Sequence, residues 1–301
     1  MKFRHLIFLL PFIFSCAEKP TSNVKGDPDE INLIGTWNLV NYIDHSNNGT
    51  DWISYPDHII YQKHLTETHF TWVSYDLQED QLQGMGGGNY NIQDGKYVEN
   101  IDFFFPPSSS ELGQSIPFDV EFKDGKWYHT GYAKEMELDF NTGEMVSGDS
   151  NKIEEVWERT TNTLAEEQGL MGTWDLKHYR DRLGDEYYEY PEMTGYIKLI
   201  TPTHFAWIKY NKDGDQIYQA GSGTYNFDGV SYIENIEMMY PPNPGMMGSS
   251  IIFSLDLTNH QWKHFGYGPV VKEDAPRDSF LIDEIWMSHV NTLEEEVAVS
   301  F

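Results

Sequence analysis

The stretch Leu33-Ile-Gly-Thr-Trp37-Asn-Leu-Val-Asn-Tyr42 returns in the second half of the chain as Leu170-Met-Gly-Thr-Trp174-Asp-Leu-Lys-His-Tyr179. Further matches follow in the same order, among them Thr68-His69-Phe70-Thr-Trp72 with Thr203-His204-Phe205-Ala-Trp207. Each copy has the length of a whole domain, so the pattern indicates a tandem duplication and not a solenoid of short units. We therefore divide the chain into two domains, residues 32–167 and 168–301.

The local pattern within each copy is typical of β-strands. Runs such as Gly195-Tyr-Ile-Lys-Leu-Ile200 and Ile251-Ile-Phe-Ser-Leu-Asp-Leu257 are rich in β-branched and aromatic residues. Turn signals such as Asp94-Gly95 and Lys123-Asp-Gly125 bound such runs. Short, closely spaced strands favour an all-β fold with an antiparallel barrel or sandwich in each copy.

Helical signals occur only near the end of each copy. Thr163-Leu-Ala-Glu166 and Thr292-Leu-Glu-Glu295 fit capping boxes, with Thr as the N-cap and Glu at the third helical position. We expect each domain to end in a short helix.

The first strand of each copy starts with a short motif, Gly35-Thr-Trp37 and Gly172-Thr-Trp174. This motif resembles the G-x-W signature of lipocalins, in which the Trp closes the base of the barrel and an Arg near the last strand covers it. The resemblance implies that role for Arg159, whereas the second copy has Ser288 there. The wider ordered pattern is similar to lipocalin-like domains of unknown function in bacterial envelope lipoproteins. It implies two tandem lipocalin-like β-barrels without specifying a ligand.

The N-terminal residues have the pattern of an export signal. Lys2 and Arg4 precede an apolar stretch that is too short to span a bilayer as a helix. The sequence Ile13-Phe14-Ser15-Cys16 resembles a bacterial lipobox, in which the Cys becomes lipidated after cleavage. We predict a signal peptide at 1–15, lipidation at Cys16 and a flexible tether over 16–31. The expected location is the cell envelope, at the outer membrane, with an ordinary secretory signal as the alternative.

Composition limits the classes of partner. The formal net charge is -28, which disfavours binding to nucleic-acid phosphates. Cys16 is the single cysteine, so the chain has no intramolecular disulfide and no multi-cysteine metal site.

Some side chains occur at matching positions in both copies. Strand alternation places them on shared faces, which we expect to point into the barrels. Tyr97, Glu99, Ile101 and Phe103 share one face, and other faces pair aromatic residues with one polar residue. The candidate ligand-binding residues of the first copy are His69, Trp72, Tyr97, Glu99, Trp127, His129, Glu155 and Trp157. Those of the second copy are His204, Trp207, Tyr232, Glu234, Trp262, His264, Glu284 and Trp286.

Three interpretations of the His and Glu positions stay open. They form structural hydrogen bonds, they orient a small ligand on an aromatic wall, or they bind a metal or act as general acid and base. We favour a binding protein for a small hydrophobic or aromatic-stacking ligand, with no catalytic residue, metal or cofactor assigned. The alternatives are a hydrolase, lyase or isomerase using the His/Glu set, or a structural module whose barrels are filled by their own side chains.

Two loop motifs have simpler interpretations. The glycines of Gly84-Met-Gly-Gly-Gly88 and Gly221-Ser-Gly223 predict a turn or bulge between strands and not a phosphate loop, because no Gly-Lys-Ser/Thr follows. The segments Phe103-Phe-Phe-Pro-Pro107 and Met238-Met-Tyr-Pro-Pro242 predict an entrance at the barrel mouth or a partner-binding edge, with packing between the two barrels as the alternative.

Overall fold

The computed structural model describes residues 31–45, 48–107, 110–139, 144–161, 169–180, 184–227, 230–258, 260–270 and 278–289. Those from Asn32 onward belong to one compact unit. The predicted signal peptide, Cys16, the tether and the helices expected at 163–166 and 292–295 lie outside the described residues. Among the described residues, no helix has the length and apolar character needed to cross a membrane.

The first copy is a closed antiparallel barrel. Its strands are β1 (Gly35–Ile43), β2 (Trp52–Ser54), β3 (Ile59–Leu65), β4 (His69–Asp76), β5 (Gln81–Gln93), β6 (Lys96–Phe105), β7 (Ser115–Lys123), β8 (Lys126–Asp139) and β9 (Glu144–Arg159). Eight of them, β1 and β3 to β9, follow one another around the barrel, and the pairing of β1 with β9 closes it. The short strand β2 pairs with the C-terminal part of β1.

The second copy repeats this topology strand for strand. Its strands are β10 (Gly172–Arg180), β11 (Tyr187–Glu189), β12 (Thr194–Ile200), β13 (His204–Asn211), β14 (Ile217–Phe227), β15 (Ser231–Tyr240), β16 (Ser250–Thr258), β17 (Gln261–Val270) and β18 (Asp278–Ser288). The pairing of β10 with β18 closes the barrel. Two eight-stranded antiparallel barrels in tandem confirm the predicted all-β architecture and fit a lipocalin-like fold.

The base of the first barrel has the arrangement that the lipocalin resemblance implies. Trp37 is buried, and its indole nitrogen donates to the Leu33 carbonyl oxygen at 2.9 Å. The Arg159 guanidinium lies 4.3 Å from the centre of the Trp37 indole, where it makes a cation–π contact. In the second barrel, Trp174 donates in the same way to Leu170 at 2.8 Å, and Ser288 pairs with it across β10 and β18.

The glycine motifs form bulges, as predicted from the sequence. The register between β5 and β6 shifts at Gly87/Gly88, and that between β14 and β15 shifts at Ser222/Gly223. A Cβ atom on Gly223 would lie 1.9 Å from the Asn235 carbonyl oxygen, so only glycine fits there.

Other glycines of the motifs make room for indole rings inside the barrels. A Cβ atom on Gly86 would lie 2.8 Å from the Trp72 ring, and one on Gly221 would lie 2.5 Å from the Trp207 ring. Each indole therefore lies flat against the neighbouring strand, which sets the shape of the wall at that point.

The bulges also reverse one prediction about faces. Ile101 lies inside the first barrel, but the extra residue that follows it turns Phe103 outward and Phe104 inward, against Trp72. Phe103 packs in a hydrophobic cluster that draws on both barrels, as does its counterpart Met238. The expectation that Phe103 points into the barrel is therefore wrong, because period-two alternation does not continue through a bulge.

The two barrels pack against each other through this shared cluster. The Phe103 ring lies 4.7 Å from Tyr210, and the Phe105 ring lies 5.1 Å from Tyr240. Both proline-rich segments thus start at the contact between the barrels, which supports the packing interpretation for these side chains.

Candidate functional site

Three strands place Glu99, His129 and Glu155, and their counterparts in the second copy, inside each barrel. In β6, Tyr97 and Glu99 alternate with outward residues, and in β8 Trp127 and His129 do the same. The β8–β9 register sets Trp127 opposite Trp157 and His129 opposite Glu155. Cross-strand neighbours on one face are close enough to touch, so this register alone brings the His and Glu side chains together.

The His and Glu side chains form the same hydrogen-bonded group in both copies. In the first barrel, Glu155 Oε2 lies 3.1 Å from His129 Nδ1 and accepts from the Trp157 indole nitrogen at 3.1 Å. In the second, Glu284 Oε2 lies 3.1 Å from His264 Nδ1 and 3.0 Å from the Trp286 indole nitrogen.

A lysine that the sequence analysis missed completes each network. Lys63 Nζ donates to Glu99 Oε1 at 2.7 Å, and Lys198 Nζ donates to Glu234 Oε1 at 2.6 Å. All four side chains of these ion pairs are at most 4 % exposed. A buried carboxylate requires such a partner, since an unpaired buried charge costs several kcal/mol.

Aromatic rings surround each lysine. Lys63 Nζ lies 5.0–5.9 Å from the ring centres of Phe70, Tyr97, Phe118, Trp127 and Trp157. Lys198 Nζ lies 5.2–5.9 Å from those of Tyr232, Phe253, Trp262 and Trp286. One sequence signal could have identified these lysines. On one face of its strand, Lys63 lies between Tyr61 and Leu65, and Lys198 lies in the same way between Tyr196 and Ile200.

Burial and neighbouring charges decide the protonation of the network. Burial and the Lys63 charge hold the pKa of His129 below its ordinary value, and burial with Lys198 holds the pKa of His264 well below it. Both imidazoles are therefore neutral at pH 7.

The two glutamates of the His–Glu pairs differ in electrostatics. Burial raises the pKa of Glu155, but the hydrogen bond from His129 and the Lys63 charge outweigh it, so the pKa lies below the ordinary value. For Glu284, burial outweighs Lys198 and the Trp286 hydrogen bond, and the pKa lies above the ordinary value. Equivalent carboxyls therefore have different affinities for a proton in the two barrels.

His69 and His204 do not join these interior networks. His69 stacks edge-on against His289, with ring centres 4.3 Å apart, and His204 lies 5.8 Å from His64. Both contacts connect one barrel to the other. The spacing in the strand explains this: His69 and Trp72 are three residues apart, so they belong to opposite faces. Trp72 points inward, and His69 points to the second barrel.

The second barrel contains a cavity of about 440 Å³ above its Lys–Glu pair. The aromatic part of its wall consists of Tyr179, Tyr190, Tyr196, Trp207 and Phe253. The aliphatic part includes Ile236, Met239, Met246 and Ile282, and the charged side chains are Arg180, Lys198, Lys209, Glu234, Asp283 and Glu284. Exposed Pro191 marks the side on which the cavity meets solvent.

The first barrel also has a recess, but this recess does not reach the Lys–Glu pair. Its recess of about 510 Å³ lies at the mouth and reaches Glu155, but Lys63, Glu99 and His129 do not line it. At the positions of Met239 and Met246, the first barrel has Phe104 and Glu111. Burial and the charges of Glu99 and Glu155 raise the pKa of Glu111 to about 7, which places this carboxyl near the interior network.

Comparisons with known proteins do not identify the chain. No family model matches it, and no curated protein is similar to it. Within the part of the chain that the structure describes, no three His, Cys, Asp or Glu side chains are grouped so that they could hold a metal ion.

Proposed function

We propose that this protein binds a small neutral molecule with an apolar or aromatic body in the cavity of its second barrel. The single observation that carries the proposal is the cavity of about 440 Å³, lined by aromatic, aliphatic and a few charged side chains. Ligand sites in proteins have volumes of this order and this mixture of apolar wall and sparse polar groups.

The charges in the wall favour a neutral ligand. Three cationic and three anionic side chains line the cavity, and four of them form two ion pairs. Lys198 holds Glu234, and Arg180 forms a salt bridge with Asp283. Asp283 also accepts from the Tyr187 hydroxyl at 2.6 Å. A charged ligand would have to displace one of these partners, whereas a neutral one has the aromatic wall available for stacking.

The interior His–Glu pairs favour binding over catalysis. His264 Nε2 and His129 Nε2 both have almost no solvent-exposed surface. Neither atom has a hydrogen-bond partner among the described residues. A general base must come within hydrogen-bond distance of the proton that it removes. His264 lines the cavity of the second barrel, but its Nε2 atom is buried, so a molecule in the cavity has almost no accessible surface of that nitrogen to contact.

A fluorescence titration with the neutral probe N-phenyl-1-naphthylamine tests the proposal. We expect one saturable site in the full chain. Met239→Trp fills the cavity and should weaken probe binding by about tenfold or more. Ile252→Trp is the matched control, since Ile252 is 62 % exposed on the outer face of the same barrel. Unchanged affinity in Met239→Trp, with the fold intact by circular dichroism, would place the probe elsewhere and contradict the proposal.

The N-terminal pattern extends the proposal to the cell envelope. A positive n-region, an apolar stretch and Cys16 support export and lipid attachment. Cells of a bacterial host fed an alkyne-bearing fatty acid should label the full-length protein, and Cys16→Ser should abolish the label and release the protein from the membrane fraction. Equal labelling of both forms would refute lipidation at Cys16.

A further inference from the structure

Three tyrosine rings form a concave aromatic surface at the mouth of the first barrel. The Tyr42 and Tyr55 ring centres lie 5.5 Å apart at an interplanar angle of 64°. The Tyr55 and Tyr61 ring centres lie 5.1 Å apart at 73°. All three residues are partly exposed and line the same recess. The three rings pack edge to face against one another and together form part of the wall of this recess, where a cation could contact an aromatic face.

The charged side chains of this recess are anionic. Glu155 and Asp76 line it, together with His58, and none of the described residues that line it is Lys or Arg. His129 is neutral, so its contact with Glu155 adds no positive charge to the recess, and the Lys63 charge that acts on Glu155 belongs to an interior side chain outside the lining. The nearest interior lysine, Lys63, forms an ion pair with Glu99 at 2.7 Å. The recess therefore has a negative potential beside its three rings.

The second barrel shows what a cation does at the equivalent place. There Tyr179, Tyr190 and Tyr196 form the same series of rings, with centres 5.9 Å and 5.7 Å apart. The ammonium group of Lys209 lies 5.7 Å from the centre of the Tyr190 ring, and its charge acts on Glu284. A side chain of the protein thus already supplies the cation in this barrel.

The first barrel lacks this built-in cation. Tyr196 pairs with Lys209 across β12 and β13, and Tyr61 pairs with Ser74 across β3 and β4. The Ser74 hydroxyl is too short to reach over the rings and lies 3.5 Å from the Tyr55 hydroxyl. The duplication has therefore kept the aromatic series and the glutamate in both barrels, but the ammonium group in only one of them.

We propose that the mouth of the first barrel binds a small organic ammonium ion, such as a quaternary or methylated amine, against Tyr42, Tyr55 and Tyr61 with Glu155 as the counter-charge. This site is separate from the cavity of the second barrel and goes beyond the function proposed above. Cation–π attraction and the carboxylate act together on such an ion, and the open mouth admits its methyl groups.

Isothermal titration of the full chain with choline tests the proposal against 3,3-dimethylbutan-1-ol, a neutral molecule of the same shape. We expect choline to bind at one site and the alcohol to bind at least about tenfold more weakly, because only the cation gains from the rings and the carboxylate. Ser74→Lys supplies the missing ammonium group and should abolish choline binding. Lys209→Ser removes the built-in ammonium group and should raise the stoichiometry from one site to two.

Two further variants separate loss of the ring from loss of the fold. Tyr55→Leu should weaken choline binding by about tenfold, whereas Tyr132→Leu, at an exposed tyrosine of β8 outside the recess, should not change it. Thermal unfolding confirms that each variant is folded. Equal choline affinity in Ser74→Lys and wild type, equal affinity for the neutral alcohol, or a single site in Lys209→Ser would each overturn the proposal. The naphthylamine titration reports on the second barrel independently, so failure of one site is distinguishable from failure of the other.

Discussion

At the scale of single residues, the environment of a side chain decides its chemistry more than its identity does. Glu155 and Glu284 occupy equivalent positions and have the same His and Trp partners, yet the pKa of one lies below its ordinary value and that of the other above it. The duplication makes this comparison within one chain. Burial raises the pKa of both carboxyls, and their charged neighbours differ, since Lys63 and His129 act on Glu155 whereas Lys198, Asp283 and Lys209 act on Glu284.

The buried ion pair of the second barrel gives a prediction at this scale. Lys198→Met leaves Glu234 buried without its cation and should lower the free energy of unfolding by about 3–5 kcal/mol. Adding Glu234→Gln removes the uncompensated charge, so the double variant should recover most of that loss. Urea denaturation followed by tryptophan fluorescence measures both. Equal losses in the single and double variants would show that the two side chains are not coupled.

At the scale of elements, alternation predicted most of the site and failed at the bulges. Tyr97, Glu99, Trp127, His129 and Glu155 lie inside because their strands are regular over those positions. The register shift in β5–β6 reverses the faces after Ile101, which strand periodicity cannot anticipate. The glycine motif did predict a bulge, but the motif does not reveal which residue of the partner strand turns outward.

The lysines of β3 and β12 illustrate a second limit of element-level prediction. A Lys on a strand is normally assigned to the solvent face, because its charge is costly to bury. Lys63 and Lys198 point inward because Glu99 and Glu234, on a strand far along the chain, compensate the charge. Only the closed barrel brings those strands together. The residues of a single strand therefore predict the solvent face for each Lys, whereas the structure places it inside.

At the scale of the whole molecule, the two barrels contact each other through equivalent residues of the two copies. Thr36 Oγ1 lies 2.8 Å from Thr201 Oγ1, and Thr66 Oγ1 lies 2.7 Å from Thr173 Oγ1. Thr36 corresponds to Thr173 in the repeat, and Thr66 corresponds to Thr201. Each hydroxyl contact therefore has its counterpart with the roles of the barrels exchanged, the pattern of an interface between two copies of one domain.

Two histidines at the contact between the barrels, His69 and His204, predict that the protein loses stability in acid. Burial and neighbouring His289 lower the pKa of His69 to about 4, and burial lowers that of His204 to about 4. The unfolded chain binds these protons near pH 6.5, so the stabilisation is complete above that pH and declines as the pH falls toward 4. Each histidine accounts for roughly 3 kcal/mol across that range. Burial and two nearby glutamates raise the pKa of Glu111 to about 7, which acts in the opposite direction.

Thermal unfolding at pH 7.5 and pH 4.5 measures this dependence. The wild type should lose stability at the lower pH, and the double variant His69→Gln, His204→Gln should lose distinctly less, because glutamine does not titrate. Tests in a Glu111→Gln background remove the opposing contribution of that carboxyl. The same pH dependence in wild type and in the double variant would show that these histidines do not control acid stability.

The sequence by itself determined the duplication, the β character of each copy, the lipocalin-like barrel and most of the polar residues inside it. These features follow from local patterns, since strand alternation and turn chemistry act over a few residues and the repeat shows them twice. The tertiary structure alone decided that Lys63 and Lys198 belong to the interior and that His69 and His204 lie between the barrels. It also decided that, in the described part of the chain, the cavity of the second barrel reaches its Lys–Glu pair whereas the recess of the first does not, and that Lys209 occupies a place which Ser74 leaves open. These outcomes depend on side chains from distant strands meeting in a closed barrel, where volume and charge are settled by contacts that no single strand contains.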